Sequence, residues 1–191
     1  MSTELVRSQL RAAVENYERL SEHADVIAAA GEAIVAAYRG GGKLLVFGNG
    51  GSAADAQHIA AEFVGRFERD RDALPALALS VNTSAITAIA NDYGFDQIFA
   101  RQLRGLGSPG DVVLALSTSG TSENVLAALR EARAMGLVTI GLTGRDGGEL
   151  PALCDHCVVV RSDDTPRIQE GHLVVFHLLC EIAESALFPD A

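Results

Sequence analysis

A His and a Glu four positions apart follow a glycine-rich turn near the middle of the first half of this 191-residue chain. The segment Gly48–Glu62 reads GNGGSAADAQHIAAE and comes directly after an apolar run. On a helix, His58 and Glu62 lie on one face, one turn apart, which is the spacing of two metal ligands. Glu62, inside the apolar stretch IAAEFV, is also a candidate general base. The ordinary alternatives are a structural histidine and an exposed helix carboxylate.

The glycine turn itself fits one form of the dinucleotide-binding fingerprint, with Gly48, Gly50 and Ala53 at the required spacing. A dinucleotide fold places an acidic residue about 20 positions past the glycines, at the end of the second strand, where it binds the ribose. The corresponding segment here offers Ser80 and Asn82 instead. The sequence therefore disfavours a nicotinamide site and leaves a sugar-phosphate site or a plain glycine turn.

A second polar loop, residues 117–122, reads STSGTS and contains five hydroxyl groups in six residues. It precedes a predicted helix, whose free N–H groups and positive dipole end attract anions. Hydroxyl and backbone N–H groups suit a phosphate monoester. One such hydroxyl would be only a helix cap, but this density favours phosphate binding. The predicted phosphate contacts are Ser117, Thr118, Ser119 and Ser122.

The segments around these loops alternate between apolar strands and helices. The predicted strands are residues 43–48, 74–80, 111–117, 137–144 and 156–162. Strands that are apolar throughout are buried on both faces, as in a parallel sheet with helices on each side. Ligands of such an open sheet bind at the carboxyl ends of the strands, so both polar loops point into one crevice. We therefore predict a doubly wound α/β fold with a parallel five-stranded sheet.

The N-terminal segment predicts a long helix with an apolar seam, whose residues alternate steps of four and three. The seam consists of Val6, Leu10, Ala13, Tyr17, Leu20, Ala24 and Ile27. Such a seam faces another helix, in the same chain or in a partner subunit. We assign residues 3–30 to this helix and the whole chain, 1–191, to a single domain.

The composition is that of a globular protein, with 48% hydrophobic and 21% charged residues. The net charge of −10 argues against nucleic acid or an anionic membrane as the main partner. The segment MSTELVRSQL lacks an apolar signal core, and no stretch reaches the ~18 apolar residues of a membrane span. We expect a cytoplasmic protein.

The cysteines are Cys154, Cys157 and Cys180, an odd number that argues against a disulfide framework. Cys154 and Cys157 form a lone C-x-x-C at the start of a predicted strand, and a partner pair is missing. The pattern favours small residues at a strand edge over a metal or redox site.

Four motifs, in order along the chain, resemble the phosphoheptose isomerase (sedoheptulose 7-phosphate isomerase) family, which has a sugar-isomerase (SIS) domain. They are NGGSAADAQHIAAE, TAIANDYGFDQIFARQ, LSTSGTSENV and RIQEGHLVVFHLLCE. The resemblance implies a flavodoxin-like fold and a homotetramer with one zinc ion per subunit. One departure is Thr121, where the family more often has Asn.

The family interconverts sedoheptulose 7-phosphate and D-glycero-D-manno-heptose 7-phosphate through an enediol, on the way to nucleotide-activated heptose for surface glycans such as lipopolysaccharide. The resemblance implies Glu62 as the base and His177 as the acid. The zinc ligands that it implies are His58, Glu62, Gln169 and His177. The substrate contacts that it implies, besides the hydroxyl loop, are Asn49, Gly50, Gly51, Ser52, Glu62, Asn91, Asp92 and Gln169.

Two other functions remain open. Some SIS-domain relatives are regulators that bind a protein partner such as a replication initiator, and they lack the catalytic acidic and basic pair. A sugar-phosphate sensor would keep the hydroxyl loop and not need Glu62. The presence of both Glu62 and His177 favours the enzyme, although His177 in VVFHLLC would otherwise be interpreted as a core histidine.

Gln169 and His177 lie eight residues apart on the predicted C-terminal helix. Their Cα atoms are then about 12 Å apart along the axis and about 80° apart around it. Both reach one ion only with fully stretched side chains, and the usual tilt of helical side chains points Gln169 away. Either the helix is distorted near Gly171, or the two residues serve different sites in neighbouring subunits, which we favour. His172, one step off this pattern, is predicted to be structural.

Overall fold

A computed structural model describes residues 2–190, so Met1 and Ala191, the two ends of the predicted domain, lie outside it. Its five strands are β1 (Leu44–Gly48), β2 (Ala76–Ala78), β3 (Val112–Ser117), β4 (Val138–Gly144) and β5 (His156–Val160). They pair in parallel in the order β2-β1-β3-β4-β5. This is the flavodoxin-like order, in which the direction of winding reverses between β1 and β3. The predicted sheet is confirmed.

The helices lie on both sides of this sheet. They are α1 (Ser2–Leu20), α2 (Ala24–Arg39), α3 (Gly51–Val64), α4 (Thr83–Tyr93), α5 (Ala100–Leu106), α6 (Glu123–Ala134), α7 (Leu150–Leu153) and α8 (Thr165–Leu187). On one face, α2, α3 and α8 pack over Leu44 and Val46. On the other face, α5 and α6 pack over Leu45 and Phe47. Because successive side chains of β1 enter opposite cores, the strand must be apolar at every position.

The long N-terminal helical segment is present but is not one uniform helix. One turn of 3₁₀-helix at Ser21–His23 separates α1 from α2, and α2 continues to Arg39, beyond the predicted end at residue 30. The apolar seam is divided accordingly. Leu20 and Ile27 are buried against the rest of the chain, whereas Val6 and Leu10 are exposed. Within residues 2–190, no other part of the chain therefore packs over the first half of the seam.

Other helix boundaries also differ from the prediction. The segment SAADAQHIAAEFVGRF predicts a helix over residues 52–67, but α3 ends at Val64. The segment FDQIFARQLRGLG predicts a helix over residues 95–107, but it forms a 3₁₀ turn followed by α5. The short α7 was not predicted. The C-terminal helix α8 is continuous through Gly171, which removes a distorted helix as the explanation for Gln169 and His177. No helix within residues 2–190 is both long enough and apolar enough to cross a membrane.

Candidate active site

Two imidazoles and a carboxylate meet where the C-terminal half of α3 packs beside α8. We call this group, His58, Glu62 and His177, the His–Glu–His cluster. One ligand atom from each residue lies within 4.8 Å of those of the other two. His58 Nε2 is 2.9 Å from Glu62 Oε1, and the ring centroids of His58 and His177 are 5.4 Å apart. The structure thus places the predicted i, i+4 pair next to the histidine predicted from the far end of the chain.

The environment of His177 lowers the pKa of its imidazole and so favours the neutral form. Burial lowers the pKa of His177, the charge of His58 lowers it further, and Glu62 opposes both effects. The ring lies among aromatic neighbours, with its centroid 4.6 Å from that of Phe176 and 5.6 Å from that of Phe67. A neutral imidazole has one bare nitrogen and one N–H, so it can bind a metal ion or pass a proton.

Gln169 lies elsewhere on α8, against the glycine loop (residues 48–52) at the N-terminus of α3. A Cβ atom added to Gly51 would collide with the side-chain amide nitrogen of Gln169, so the glycine leaves the space that this amide occupies. His177 instead lies beside the other half of α3. Gln169 and His177 thus face different parts of α3, and the role of Gln169 as the fourth metal ligand stays a prediction. The other glycine-loop residues that we predicted, Asn49, Gly50 and Ser52, are the neighbours of Gly51 in the chain, and Gly50 is the N-cap of α3.

The hydroxyl loop (residues 117–122) lies between β3 and α6 and is closed by its own hydrogen bonds. Ser117 Oγ accepts from the backbone N–H of Gly120 at 3.2 Å, and it donates to Ser122 Oγ at 3.3 Å. Ser119 Oγ accepts from the N–H of Thr121 at 3.3 Å. Gly120 has φ of 68° and presses on the backbone of Gly147, a contact that a side chain would prevent. These bonds hold the hydroxyl groups at the start of a helix, where anions bind.

Asn124 joins the two loops and was missed by the sequence reasoning. Its side-chain amide exchanges two hydrogen bonds with that of Asn49, at 2.9 and 2.8 Å. The ends of β1 and β3 are adjacent in the sheet, so this amide pair crosses the switch point of the fold. The loops are therefore neighbours, as predicted. The sequence signal for Asn124 was weak, because an Asn in the first turn of a helix has many roles.

Asp55 is a second residue that the sequence reasoning missed, although it lies three positions before His58 on α3. Burial raises the pKa of Asp55, and the charge of His58 opposes this rise. The i, i+3 spacing of Asp55 and His58, which makes the two side chains neighbours on the helix surface, was the sequence signal for Asp55.

Asn91 and Asp92 are exposed at the C-terminal end of α4, where Asn91 Nδ2 donates to Asp92 Oδ1 at 2.8 Å. Their role as substrate contacts stays a prediction. Cys154 and Cys157 direct their sulfur atoms over Gly141 of β4. In the part of the chain that the structure describes, these thiols do not form a group of three or more metal-ligating residues, and the His–Glu–His cluster does.

Comparisons with known proteins agree with this arrangement. The SIS domain family model matches residues 9–144. A phosphoheptose isomerase of Bradyrhizobium sp. (strain ORS 278) is 56% identical over 100% of this chain and 96% of its own length. A phosphoheptose isomerase of Roseiflexus sp. (strain RS-1) is 52% identical over 98% of this chain and 96% of its own length.

Two solved structures are similar over almost the whole chain. The phosphoheptose isomerase of Neisseria gonorrhoeae has a TM-score of 0.91 at 40% identity, covering 97% of this chain and 100% of that one. That of Francisella tularensis has a TM-score of 0.93 at 38% identity, covering 97% and 99%. The similarity extends over α8, which lies beyond the family-model match. The chain therefore belongs to the phosphoheptose isomerase family of SIS-domain proteins and is a sugar-phosphate isomerase.

Proposed function

We propose that this protein interconverts sedoheptulose 7-phosphate and D-glycero-D-manno-heptose 7-phosphate, with Glu62 as the base and His177 as the acid. The observation that carries the proposal is that a ligand atom of the Glu62 carboxylate and one of the His177 imidazole lie within 4.8 Å of each other. Aldose–ketose isomerisation needs both groups at two adjacent carbons. The full-length similarity to phosphoheptose isomerases supports the choice of sugar.

The proposed reaction moves one hydrogen between two neighbouring carbons through an enediol. The Glu62 carboxylate removes a proton from C1 of the ketose, and the electrons of that C–H bond form the C1–C2 double bond. The C2 carbonyl oxygen takes a proton from His177 as its π bond breaks. In the second half, Glu62 returns its proton to C2, and the C1 hydroxyl gives its proton to His177 as the aldehyde forms. Both groups end in their starting states, so the cycle balances.

The donor set of the His–Glu–His cluster fits a zinc ion, which binds His and carboxylate groups and would have room for one further ligand, either Gln169 or a substrate oxygen. All three ligand atoms lie within 4.8 Å of one another. Bound there, zinc would stabilise negative charge on the substrate oxygens. A carboxylate that binds a cation is a weaker base, because the cation stabilises the charged form. Glu62 would therefore use one oxygen as a ligand and keep the other for the proton.

The remaining predicted residues would bind the sugar around this centre. The phosphate group would lie on the hydroxyl loop and the N-terminus of α6, held by Ser117, Thr118, Ser119 and Ser122. The sugar hydroxyls would contact Asn49, Gly50, Gly51, Ser52 and Gln169 at the glycine loop, and Asn91 and Asp92 at the end of α4. The product would enter synthesis of nucleotide-activated heptose in the cytoplasm.

We also propose that the chain is one domain that assembles as a homotetramer through residues 3–30. The support is the apolar side of α1, where Val6, Leu10, Val14 and Tyr17 are 56, 62, 57 and 41% exposed. Apolar side chains grouped in this way mark association surfaces. A neighbouring subunit would then supply Gln169 as the fourth metal ligand. Native mass spectrometry of wild type and of Leu10→Glu tests the assembly, and a monomeric wild type would contradict it.

The test of function is hydrogen exchange in ²H₂O, followed by NMR. With the purified protein and sedoheptulose 7-phosphate, we expect aldose to form and solvent deuterium to enter at C2 of the aldose. Sedoheptulose without phosphate and fructose 6-phosphate are the comparison substrates, and chelator followed by added zinc tests the metal. Binding of the heptose phosphate without exchange would support the sensor alternative and contradict the isomerase.

A further inference from the structure

A buried ion pair lies directly behind the proposed catalytic residues. Arg71 Nε is 3.1 Å from Glu184 Oε1, and the two side chains are only 2 and 3% exposed. We call this pair the Arg71–Glu184 clamp. Neither residue was predicted from the sequence, and neither forms a hydrogen bond with a side chain of the His–Glu–His cluster. Removing two charges from water is costly, so their burial at this place needs a physical reason.

The guanidinium group of Arg71 binds the C-terminal end of α3. Its Nη2 donates to the carbonyl oxygen of Glu62 at 2.8 Å, and its Nη1 donates to that of Phe63 at 2.7 Å. Nη1 also donates to the carbonyls of Gly65 and Asp72, at 3.3 and 2.9 Å. The last carbonyls of a helix have no partners within the helix, and a cation is favourable there. Arg71 thus holds the backbone turn that carries Glu62.

The carboxylate of Glu184 binds the segment that follows α3. Its two oxygens accept from the backbone N–H groups of Phe67, Glu68 and Arg69, at 3.1, 2.8 and 2.9 Å. Burial alone would raise the pKa of Glu184, but these hydrogen bonds and that of Arg71 outweigh it and hold the pKa below its usual value. The segment therefore folds back over α8 and does not extend α3, which explains why the helix ends earlier than predicted.

The clamp is connected to both proposed catalytic groups. Glu184 follows His177 by seven residues on α8, so the two side chains lie on the same face of one helix. Phe67, whose N–H binds Glu184, places its ring with its centroid 5.6 Å from that of His177. On the other side, Arg71 binds the carbonyl of Glu62 itself. One buried ion pair thus links the helix of the base to the helix of the acid.

We propose that Arg71 and Glu184 are positioning residues, which set the distance and orientation between Glu62 and His177 for proton transfer. The inference rests on the proposed function. A buried ion pair is poor evidence for stability, since an apolar pair of similar volume is often as stable. An apolar pair, however, has no donors for the four carbonyls and no acceptors for the three N–H groups that the clamp binds. Positioning of these backbone turns accounts for the buried charges.

The test compares Arg71→Lys and Glu184→Gln with a control, Asp111→Asn. Lysine keeps the charge but lacks the planar fork that serves several carbonyls at once. Asp111 is buried in a different ion pair, with its Oδ2 2.6 Å from Nζ of the partly exposed Lys43, at the starts of β1 and β3. Each variant is assayed at a temperature where circular dichroism shows it fully folded. Any loss of activity then reflects geometry, not the fraction of folded molecules.

For both clamp variants we expect kcat for sedoheptulose 7-phosphate to fall by about 10²-fold, because small misplacements of reacting groups have effects of this size. KM should change by less than about threefold, since the phosphate is bound at the separate hydroxyl loop. Arg71→Lys should retain more activity than Arg71→Met, because the lysine still reaches one or two of the carbonyls. Asp111→Asn should lose thermal stability and keep its kcat.

A second readout does not depend on turnover. Titration with Co²⁺, followed by its visible absorption, reports the geometry of the His–Glu–His cluster, and we expect the clamp variants to bind Co²⁺ at least about tenfold more weakly than wild type. Unchanged kcat and unchanged Co²⁺ affinity in folded clamp variants would overturn the positioning role while leaving the isomerase intact. Equal losses of kcat in Asp111→Asn would also overturn it. A wild type that neither isomerises nor binds Co²⁺ would overturn the proposed function, and this inference with it.

Discussion

The hydroxyl loop and the His–Glu–His cluster are built in opposite ways. Ser117, Ser119 and Ser122 lie within six consecutive residues, and most of their hydrogen bonds join near neighbours. His58 and Glu62 meet His177 only because α3 and α8 pack together, far apart in sequence. Under the proposed function, anion binding would depend on local backbone geometry, whereas proton transfer would depend on the relative placement of two helices. Each function can therefore be removed without the other.

The largest expected effect comes from Glu62→Gln. The amide keeps the shape of the side chain but cannot take a proton, so kcat should fall by ~10²–10⁴-fold. Affinity for the heptose phosphate should stay close to that of wild type, because the phosphate is bound at the other region. Stopped-flow or NMR kinetics and calorimetry measure the two quantities. A variant with more than half of the wild-type turnover would show that Glu62 is not the base.

Ser119→Ala, in the hydroxyl loop, should have the converse effect and weaken binding of the sugar phosphate. A hydrogen bond to a charged group contributes about 1.5–3 kcal/mol, so affinity for the sugar phosphate should weaken by roughly 10–10²-fold. The melting temperature should change little. Ser108→Ala, an exposed serine at the opposite end of the sheet, is the matched control. Unchanged affinity by calorimetry would remove Ser119 from the phosphate site.

A substitution of His172 should change the stability of the fold without altering the hydroxyl loop or the His–Glu–His cluster. It is fully buried, and its Nε2–H donates to the carbonyl of Thr143 at 3.2 Å. Burial lowers the pKa of His172 to about 4, although the bond to Thr143 opposes this shift. In the unfolded chain the pKa is about 6.5, so between these values the unfolded state binds more protons than the folded state. The stability that neutral His172 contributes is therefore complete above pH 6.5 and is lost as the pH falls towards 4.

Between pH 7.5 and pH 5.0, wild type should lose about 2 kcal/mol more unfolding free energy than His172→Gln, in which this group does not titrate. Urea denaturation at both pH values gives the two differences, with other titrating groups common to both proteins. Identical pH dependence in wild type and variant would show that His172 is not held neutral in the folded state.

The smallest expected signal concerns whether the cluster is completed by a neighbour. Gln169→Ala and Glu62→Gln, each with reduced activity, are mixed after mild dissociation. If Gln169 acts across an interface, about a quarter of the sites in random mixed oligomers regain both wild-type residues, since the interface pairs different subunits. Activity should then exceed the mean of the two parents. With exchange confirmed by mass spectrometry, activity equal to that mean would place Gln169 in the site of its own chain.

Much of the fold could be predicted because its signals are local. β1 is apolar at every position, which indicates burial on both faces, and the alternation of strands and helices indicates a parallel sheet. The i, i+4 spacing of His58 and Glu62 predicts a shared helix face without any knowledge of its neighbours. The hydroxyl loop is equally local, because a helix start supplies its N–H groups wherever the helix lies.

Only the tertiary structure decided which distant groups meet. Gln169 and His177 lie on the same helix, yet one lies at the start of α3 and the other beside its C-terminal half, since α8 is continuous. Nothing in the sequence pairs Arg71 with Glu184 or Asn49 with Asn124, because a single buried polar residue finds its partner through packing and not through spacing. The sequence by itself determined the strands and helices, and also the types of polar residue that follow the strands at the crevice. The distances within the His–Glu–His cluster were decided by helix packing, which depends on contacts between residues far apart in the chain.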